Sequence, residues 1–304
     1  MERLSELLLN FSYLGESLSA SSAFIWASAI ILFRVSGRTV HPLGLNFFKN
    51  LFSCVVFPLT MWAVNEAIFL QVSWKSYGLL ILSGILGIAI SDTLLFASLN
   101  RLGAGLSAIV SCFYSPFVIL LSFVFIGERM SLLQLLGVLL IISAVLTITQ
   151  KNHRSPISPK DLLTGIFLGI GAMFSLAVSI VMIKPLLNRS PLLWATLVRS
   201  VAGMLILGVV ILFHPKGPSI WKSTFTLKNW KPMLPGSLLG GYLALITWMG
   251  GMKFTFTSVA SALNQLTTIF IFVMGILFLK EKATKERVAA VLIAVIGGFL
   301  VTFF

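Results

Sequence analysis

The sequence predicts an all-α, polytopic membrane protein with ten transmembrane helices arranged as two inverted five-helix repeats. Three observations support this prediction. The 304 residues are 58% hydrophobic and only 10% charged, the apolar runs are about 20 residues long and so cross a hydrocarbon core of ~30 Å as helices, and one stretch of the chain recurs later in the same order. With a mean hydropathy of +1.02, the chain has the composition of a membrane protein rather than of a soluble domain.

Short polar joints separate the apolar runs and set their limits to within several residues. We place the spans at roughly 17–34, 42–64, 76–98, 104–126, 131–149, 161–183, 190–213, 233–252, 258–279 and 286–303. The polar linker 151–160 divides the chain into a first repeat, 1–150, and a second repeat, 151–304. Because the first repeat has an odd number of spans, the second enters the membrane from the opposite side, and the repeats are predicted to be inverted, as in many secondary transporters.

The repeat is visible in individual residues over the stretch 84–149. A shift of 153 residues pairs Gly87 with Gly240 and Glu128 with Glu281, each at the same place in the pattern of spans. The two glutamates lie in joints, where we expect them to act electrostatically at helix N-termini.

The first 20 residues do not resemble a signal peptide, because acidic residues occur among the first six and no continuous apolar core follows. Their apolar residues are spaced for one face of a helix: Leu4, Leu7, Leu8, Phe11 and Leu14. This spacing predicts a short helix lying at the membrane surface.

The net charge of +13 does not indicate a nucleic-acid partner, because the basic residues are scattered through short joints rather than gathered on one face. Cys54 and Cys112 fall inside apolar runs, whereas His41, His153 and His214 lie in joints. We therefore predict no metal site and no cofactor.

Two predicted spans carry polar stripes at matching positions. In span 2, one helical face holds Asn46, Lys49, Asn50 and Ser53. After a shift of 150 residues, the same four positions fall in span 7 and hold Thr196, Arg199, Ser200 and Gly203. Each half of the chain thus places one cation and its polar neighbours at an equivalent point.

The two cations admit two interpretations. A Lys or Arg at mid-span costs ~2.5–3.5 kcal/mol on insertion scales, so Lys49 and Arg199 either face a central aqueous cavity or snorkel to the headgroups. Lys49 lies seven residues past Pro42, a depth of ~10 Å from which a stretched side chain still reaches the interface. The polar neighbours on the same face favour the cavity.

Other polar residues within spans have the same two kinds of explanation. Asp92 is the only carboxylate inside a span, and it is either a coupling site or substrate counter-ion, or a structural partner of Lys49 or of a helix end. Asn264 and Gln265 either line a cavity or bond across helices. Trp26 and Trp248 are either cavity walls or ordinary packing.

The region from span 3 to span 5 holds Ser91-Asp92-Thr93, Pro116 in the next span and the Gly127-Glu128-Arg129 joint. Earlier in the chain, Asn46 and Lys49 follow Pro42, and Gly15-Glu16 precedes span 1. Through these features the chain resembles the EamA-type branch of the drug/metabolite transporter superfamily. In the second half, Lys280-Glu281-Lys282 stands where the family has Gly-Glu-Arg. The resemblance implies ten helices, inverted repeats and transport of a small organic solute, without naming that solute.

Two arguments disagree about which side of the membrane holds the termini. Of the Lys and Arg outside the spans, six lie on the side of the N-terminus and 14 on the other, which places both termini outside by the positive-inside rule. The resemblance implies both termini inside, and we prefer it because several of the 14 lie late in the chain, in 214–232 and 280–287. Labelling of a C-terminal cysteine by an impermeant reagent on intact cells would contradict that preference.

The function predicted from these features is secondary transport across the cytoplasmic membrane by alternating access. The excess of cations over carboxylates within the spans favours an anionic or zwitterionic metabolite, amino acids being one candidate, with a proton or a counter-substrate as a coupling partner. A channel or structural membrane protein is the alternative. An intramembrane enzyme is less favoured, since the spans offer one carboxylate and no His.

Overall fold

The computed structural model describes residues 13–126, 131–150, 157–255 and 257–303. Within these ranges the chain forms ten long helices, as predicted: α1 Leu14–Ser36, α2 Pro42–Ala63, α3 Trp74–Leu102, α4 Ala104–Ser111 and Tyr114–Ile126, α5 Leu132–Gln150, α6 Pro159–Val181, α7 Leu192–Phe213, α8 Leu227–Phe254, α9 Thr257–Leu279 and α10 Lys285–Phe303. Shorter helices, Lys184–Arg189 and Gly217–Phe225, connect α6 to α7 and α7 to α8.

Length and composition confirm that the protein is a polytopic membrane protein. In the described part of the chain, seven helices (α1 to α4 and α6 to α8) are long and apolar enough to cross a membrane, and shorter apolar stretches lie in α5 and α9. Large apolar side chains such as Leu59, Phe167, Leu212 and Leu277 are exposed on the outside of the bundle. These side chains suit contact with lipid, where their exposure carries no hydrophobic penalty.

Helix ends follow the local chemistry of the sequence. Ser158 caps α6 by accepting the backbone N–H of Asp161 at 3.1 Å, with Pro159 at the first helical position. His41 caps α2 in the same way, its Nδ1 accepting the N–H of Leu43 at 3.3 Å. α8 begins at Leu227, six residues earlier than predicted.

Pro116 interrupts α4, as the sequence predicts. Proline has no N–H to donate to the carbonyl four residues earlier, which here belongs to Cys112. The two helical segments of α4 meet at Cys112 and Phe113, whose N–H groups turn to carbonyls three residues back, on Ile109 and Val110. The break therefore lies one turn before the proline.

The packing of the helices is reciprocal between the two halves. α1 packs on α8 and α9 of the other half, and α6 packs on α3 and α4. α2 packs on α7, α4 on α9, and α5 on α10. This exchange is what two inverted repeats produce, and it surrounds a central space with eight helices, while α5 and α10 pack on each other outside that space.

A second mark of the repeat is a π-helical turn in each half. α3 contains the turn Ile85–Ile90 and α8 contains the turn Leu238–Leu243, which lie 153 residues apart. A π-helical turn leaves backbone groups imperfectly paired and often marks a functional region of a helix. Sequence reasoning found the repeat over this stretch but not the turns.

Three sequence predictions fall wholly or partly on residues outside the described ranges. The carboxylate of Glu281 accepts the N–H groups of Ala104 and Gly105 at 2.7 and 3.0 Å and so lies at the N-terminus of α4, whereas Glu128 lies outside the described residues. Residues 1–12 of the predicted surface helix and residues 151–156 of the linker also lie outside them. The boundary between the repeats stays a prediction.

Candidate functional site

A central cavity of about 160 Å³ lies among α1 to α4 and α6 to α9. Its walls are mostly apolar, with side chains such as Ile30, Leu95, Met173 and Leu245. Of the charged and amide side chains singled out from the sequence, five line it: Lys49, Asp92, Arg199, Asn264 and Gln265. The fold therefore gathers polar groups from α2, α3, α7 and α9 around one space.

Lys49 and Asp92 form an ion pair between α2 and α3 at the wall of this cavity. The side chains are 5% and 13% exposed, so neither snorkels to the surface of the bundle. Asp92 is therefore a structural partner of Lys49, and it also lines the cavity, while its role as a coupling site or substrate counter-ion stays a prediction. The pair is formally neutral.

Arg199 lies in the cavity wall without a carboxylate partner in the described part of the chain. The residue is 1% exposed, and its one recorded hydrogen bond runs from Nη1 to the Sδ atom of Met249 at 3.1 Å. Its Nε has no partner there. Asp92 and Tyr114 line the same cavity as this guanidinium.

Space for the guanidinium depends on Gly87 in the π-helical turn of α3. A Cβ atom at this position would lie 3.0 Å from Nη2 of Arg199 and 2.3 Å from Oγ of Ser179. Since the second atom leaves no room for a methyl group, glycine permits the close approach of α3 to both α6 and α7.

Asn46 and Asn50 are buried but do not line the cavity. The amide of Asn46 donates to the carbonyl of Ile88 at 2.7 Å and to Oγ1 of Thr93 at 3.0 Å. Asn50 in turn donates to Oδ1 of Asn46 at 2.8 Å. Asn46 therefore satisfies a backbone carbonyl of the π-helical turn of α3 and bonds to the residue after Asp92, and Asn50 holds Asn46 in place.

Ser53 performs the corresponding task on the other half. Its hydroxyl donates to the carbonyl of Gly241 at 2.7 Å, within the π-helical turn of α8. One stripe on α2 thus binds both irregular turns, which explains why a polar face is retained on an apolar helix.

Asn264 and Gln265 divide between the two expected roles. Gln265 donates to the hydroxyl of Ser115 on α4, so it bonds across helices as well as lining the cavity. Asn264 lines the cavity and has no hydrogen-bond partner in the described ranges. It is thus a free amide facing the central space.

The sequence analysis missed some of the residues that line the cavity and left the role of others open. Tyr114 lines the cavity with a buried hydroxyl that has no partner among the described residues. Trp26 and Trp248 are both in the wall. Ser111 lies three residues before Tyr114 and Ser107 four residues before Ser111, and both serines also line the cavity, so this spacing is a signal that could have identified Tyr114.

A bundle of inverted repeats around a central, partly polar cavity defines a membrane transporter. The family model of the EamA-like transporter family matches residues 13–150 and 163–303, and the chain belongs to this family. It is accordingly a multi-pass protein of the cell membrane that moves a small molecule.

Two proteins with similar sequences are also described as transporters. An uncharacterized transporter of Archaeoglobus fulgidus is 26% identical over 284 residues, covering 93% of this chain and 96% of the relative. The uncharacterized transporter YvbV of Bacillus subtilis is 27% identical over 242 residues, covering 76% and 73%. A solved crystal structure covers 95% of both chains with a TM-score of 0.69 and 17% identity, a likeness that concerns the fold alone.

Proposed function

We propose that the protein is a secondary transporter of a small anionic or zwitterionic metabolite and works by alternating access. The observation that carries the choice of substrate is the charge of the cavity wall. Lys49 and Asp92 neutralise each other there, and Arg199 has no carboxylate partner in the described ranges. A fixed cation in a surrounding of low dielectric attracts an anionic group far more strongly than it does in water.

The reciprocal packing supports alternating access. The cavity lies between two halves of like structure and opposite orientation, and each contributes one π-helical turn to its wall through Gly87 and Gly240. In such folds, one half rocks against the other around a fixed site. Asp92 is the candidate for coupling to a proton, because it is the carboxylate that faces the cavity.

Uptake into proteoliposomes tests this proposal against a channel or a structural membrane protein. The purified protein should give saturable, gradient-dependent uptake of anionic or zwitterionic solutes, with amino acids included in the set. Flux that does not saturate would indicate a channel, and no flux under any gradient would favour a structural role. Movement of cations alone would show that the charge argument is wrong.

A further inference from the structure

We propose that Arg199 and Tyr114 together form a subsite for a single carboxylate, and that the rest of the ligand is apolar and packs on the wall that holds Trp26 and Trp248. This inference rests on the proposed transport function and names its substrate class: monocarboxylates with an apolar body. It assigns unequal roles to the two cations, which the sequence presents as equivalents.

Arg199 is set up to receive an oxygen anion. A buried guanidinium ordinarily pairs with a carboxylate and fills its donors, because unmade hydrogen bonds at a buried charged group are costly. Here Nη1 donates to a thioether sulfur, a weak acceptor, and Nε has no partner in the described part of the chain. The residue nevertheless lies in the wall of the cavity, where a ligand has access to it.

Tyr114 supplies a second, independent donor. Its side chain is buried at the cavity wall, and its hydroxyl is also without a partner among the described residues. Arg199 and Tyr114 line the same cavity, so both donors belong to the wall of one space. One guanidinium and one hydroxyl match the two oxygens of a carboxylate.

Lys49 is a poor candidate for the same role. Its ammonium group already pairs with Asp92, so a second anion there would compete with a fixed carboxylate. Among the described residues, the wall then offers one uncompensated positive charge, contributed by Arg199. A dicarboxylate or a phosphate dianion would bring one negative charge too many into the cavity, at a large desolvation cost.

The remaining wall selects the body of the ligand. Apart from the polar groups already named, the cavity is bounded largely by aliphatic side chains, with Trp26 from α1 and Trp248 from α8. α1 and α8 pack on each other, so the two indoles belong to the same side of the cavity. The removal of apolar ligand surface from water there favours binding.

The test uses the full-length protein in nanodiscs and calorimetric titration with a matched series. The probes are 3-phenylpropionate, its neutral amide, the corresponding primary amine, succinate and inorganic phosphate. Wild type is expected to bind 3-phenylpropionate and to bind the amide at least about tenfold more weakly, because the amide lacks the charge that a charge-assisted hydrogen bond uses. Phosphate and succinate are expected to bind more weakly than the monocarboxylate.

Variants assign the subsite. Tyr114→Phe should weaken 3-phenylpropionate binding about tenfold and Arg199→Gln more than that, while Arg199→Lys, which keeps the charge without the planar fork, should fall between. Two matched controls remove the same chemical groups away from the cavity. Arg38→Gln removes an exposed guanidinium, and Tyr77→Phe removes a hydroxyl that donates to the carbonyl of Leu70. They should bind like wild type.

Three results would overturn the inference. One is wild-type affinity for 3-phenylpropionate in both Arg199→Gln and Tyr114→Phe. Another is loss of binding in the double variant Lys49→Gln/Asp92→Asn together with normal binding in Arg199→Gln. The third is a wild type that binds none of the carboxylates or prefers succinate. Each of these leaves the transporter proposal to its own uptake experiment, whose failure is a lack of saturable flux.

Discussion

The two halves of the molecule share their geometry but differ in charge. Each half carries a cation at the same point of an equivalent helix, Lys49 on α2 and Arg199 on α7. Lys49 is paired with Asp92, whereas the residue that lies 153 positions after Asp92 is Leu245. Both Asp92 and Leu245 line the cavity. Under the proposed function, the common geometry would serve two alternating states, and the difference in charge would give the shared cavity its preference for anionic groups.

The two polar stripes show the same divergence. On α2, Asn46 and Ser53 bind the π-helical turns of α3 and α8. On α7, the equivalent of Asn46 is Thr196, which bonds to its own helix at the carbonyl of Leu192, 2.7 Å away. The stripe on α2 therefore acts chiefly as scaffold, and the stripe on α7 leaves its cation available. A symmetric sequence pattern thus supports two unlike roles.

The largest effect is expected from Asp92→Asn, which removes the charge that distinguishes the halves. An amide neither takes up nor releases a proton at physiological pH, so this variant lacks the group that is proposed to couple transport to a proton gradient. We expect uptake driven by a proton gradient to fall to near background, while gel filtration still shows a folded protein. Initial rates in proteoliposomes at several pH values provide the measurement. Normal transport with an unchanged pH dependence would reduce Asp92 to a structural partner of Lys49.

The ion pair itself can be isolated with a double-mutant cycle. Lys49→Met and Asp92→Asn each leave one buried group without its partner, and each should lower the free energy of unfolding by about 3 kcal/mol. The combined variant removes both groups and should lose less than about 1 kcal/mol. The midpoints of thermal unfolding in detergent check this order. If the losses of the single variants simply add, the two residues do not stabilise each other.

Leu245→Asp supplies the second half with the carboxylate that it lacks. The new charge would neutralise the cavity by pairing with Arg199, so affinity for anionic solutes should fall by about tenfold to a hundredfold. Leu245→Asn is the matched control, with nearly the same shape and no charge. Competition binding with anionic and zwitterionic solutes gives the comparison. Equal affinities in the two variants would show that the charge of the cavity does not select the substrate.

The sequence was sufficient to predict the ten helices and the inverted repeat. Composition, run length and the shift of 153 residues act over many positions, so local irregularities do not hide them. The interruption at Pro116 was also predictable, because it follows from a missing N–H. The start of α8 at Leu227 was not, since Pro232 and Pro235 lie inside the helix and suggest a later start.

The division of roles within the site required the structure. Lys49 and Asp92 lie 43 residues apart in the chain, and only the packing of α2 on α3 shows that they pair rather than snorkel or stand alone. Asn46 has the residue type of a binding group, yet its donors are used by the π-helical turn, whose position no local pattern revealed. Tyr114 was missed because its apolar ring blends into a hydrophobic span.

The smallest effect is expected at the end of the bundle where the start of α2 and the end of α7 bring two histidines together. His41 at the start of α2 lies 5.6 Å, ring to ring, from His214 at the end of α7. Burial, His214 and Lys216 hold the pKa of His41 below its usual range. At the opposite end of the bundle, the positions equivalent to His41 and His214 hold Pro191 and Val64, which do not titrate.

A lowered pKa in the folded protein fixes the sign of the pH effect. Between the folded pKa and the unfolded value of about 6.5, the unfolded chain binds the proton more readily, so stability is lost as the pH falls through this window. His41→Asn keeps a good N-cap for α2 and removes the titration. The unfolding midpoint of wild type should therefore decline slightly more than that of the variant between pH 7 and pH 5. Parallel curves would show that this end of the bundle is as insensitive to pH as the end formed by Pro191 and Val64.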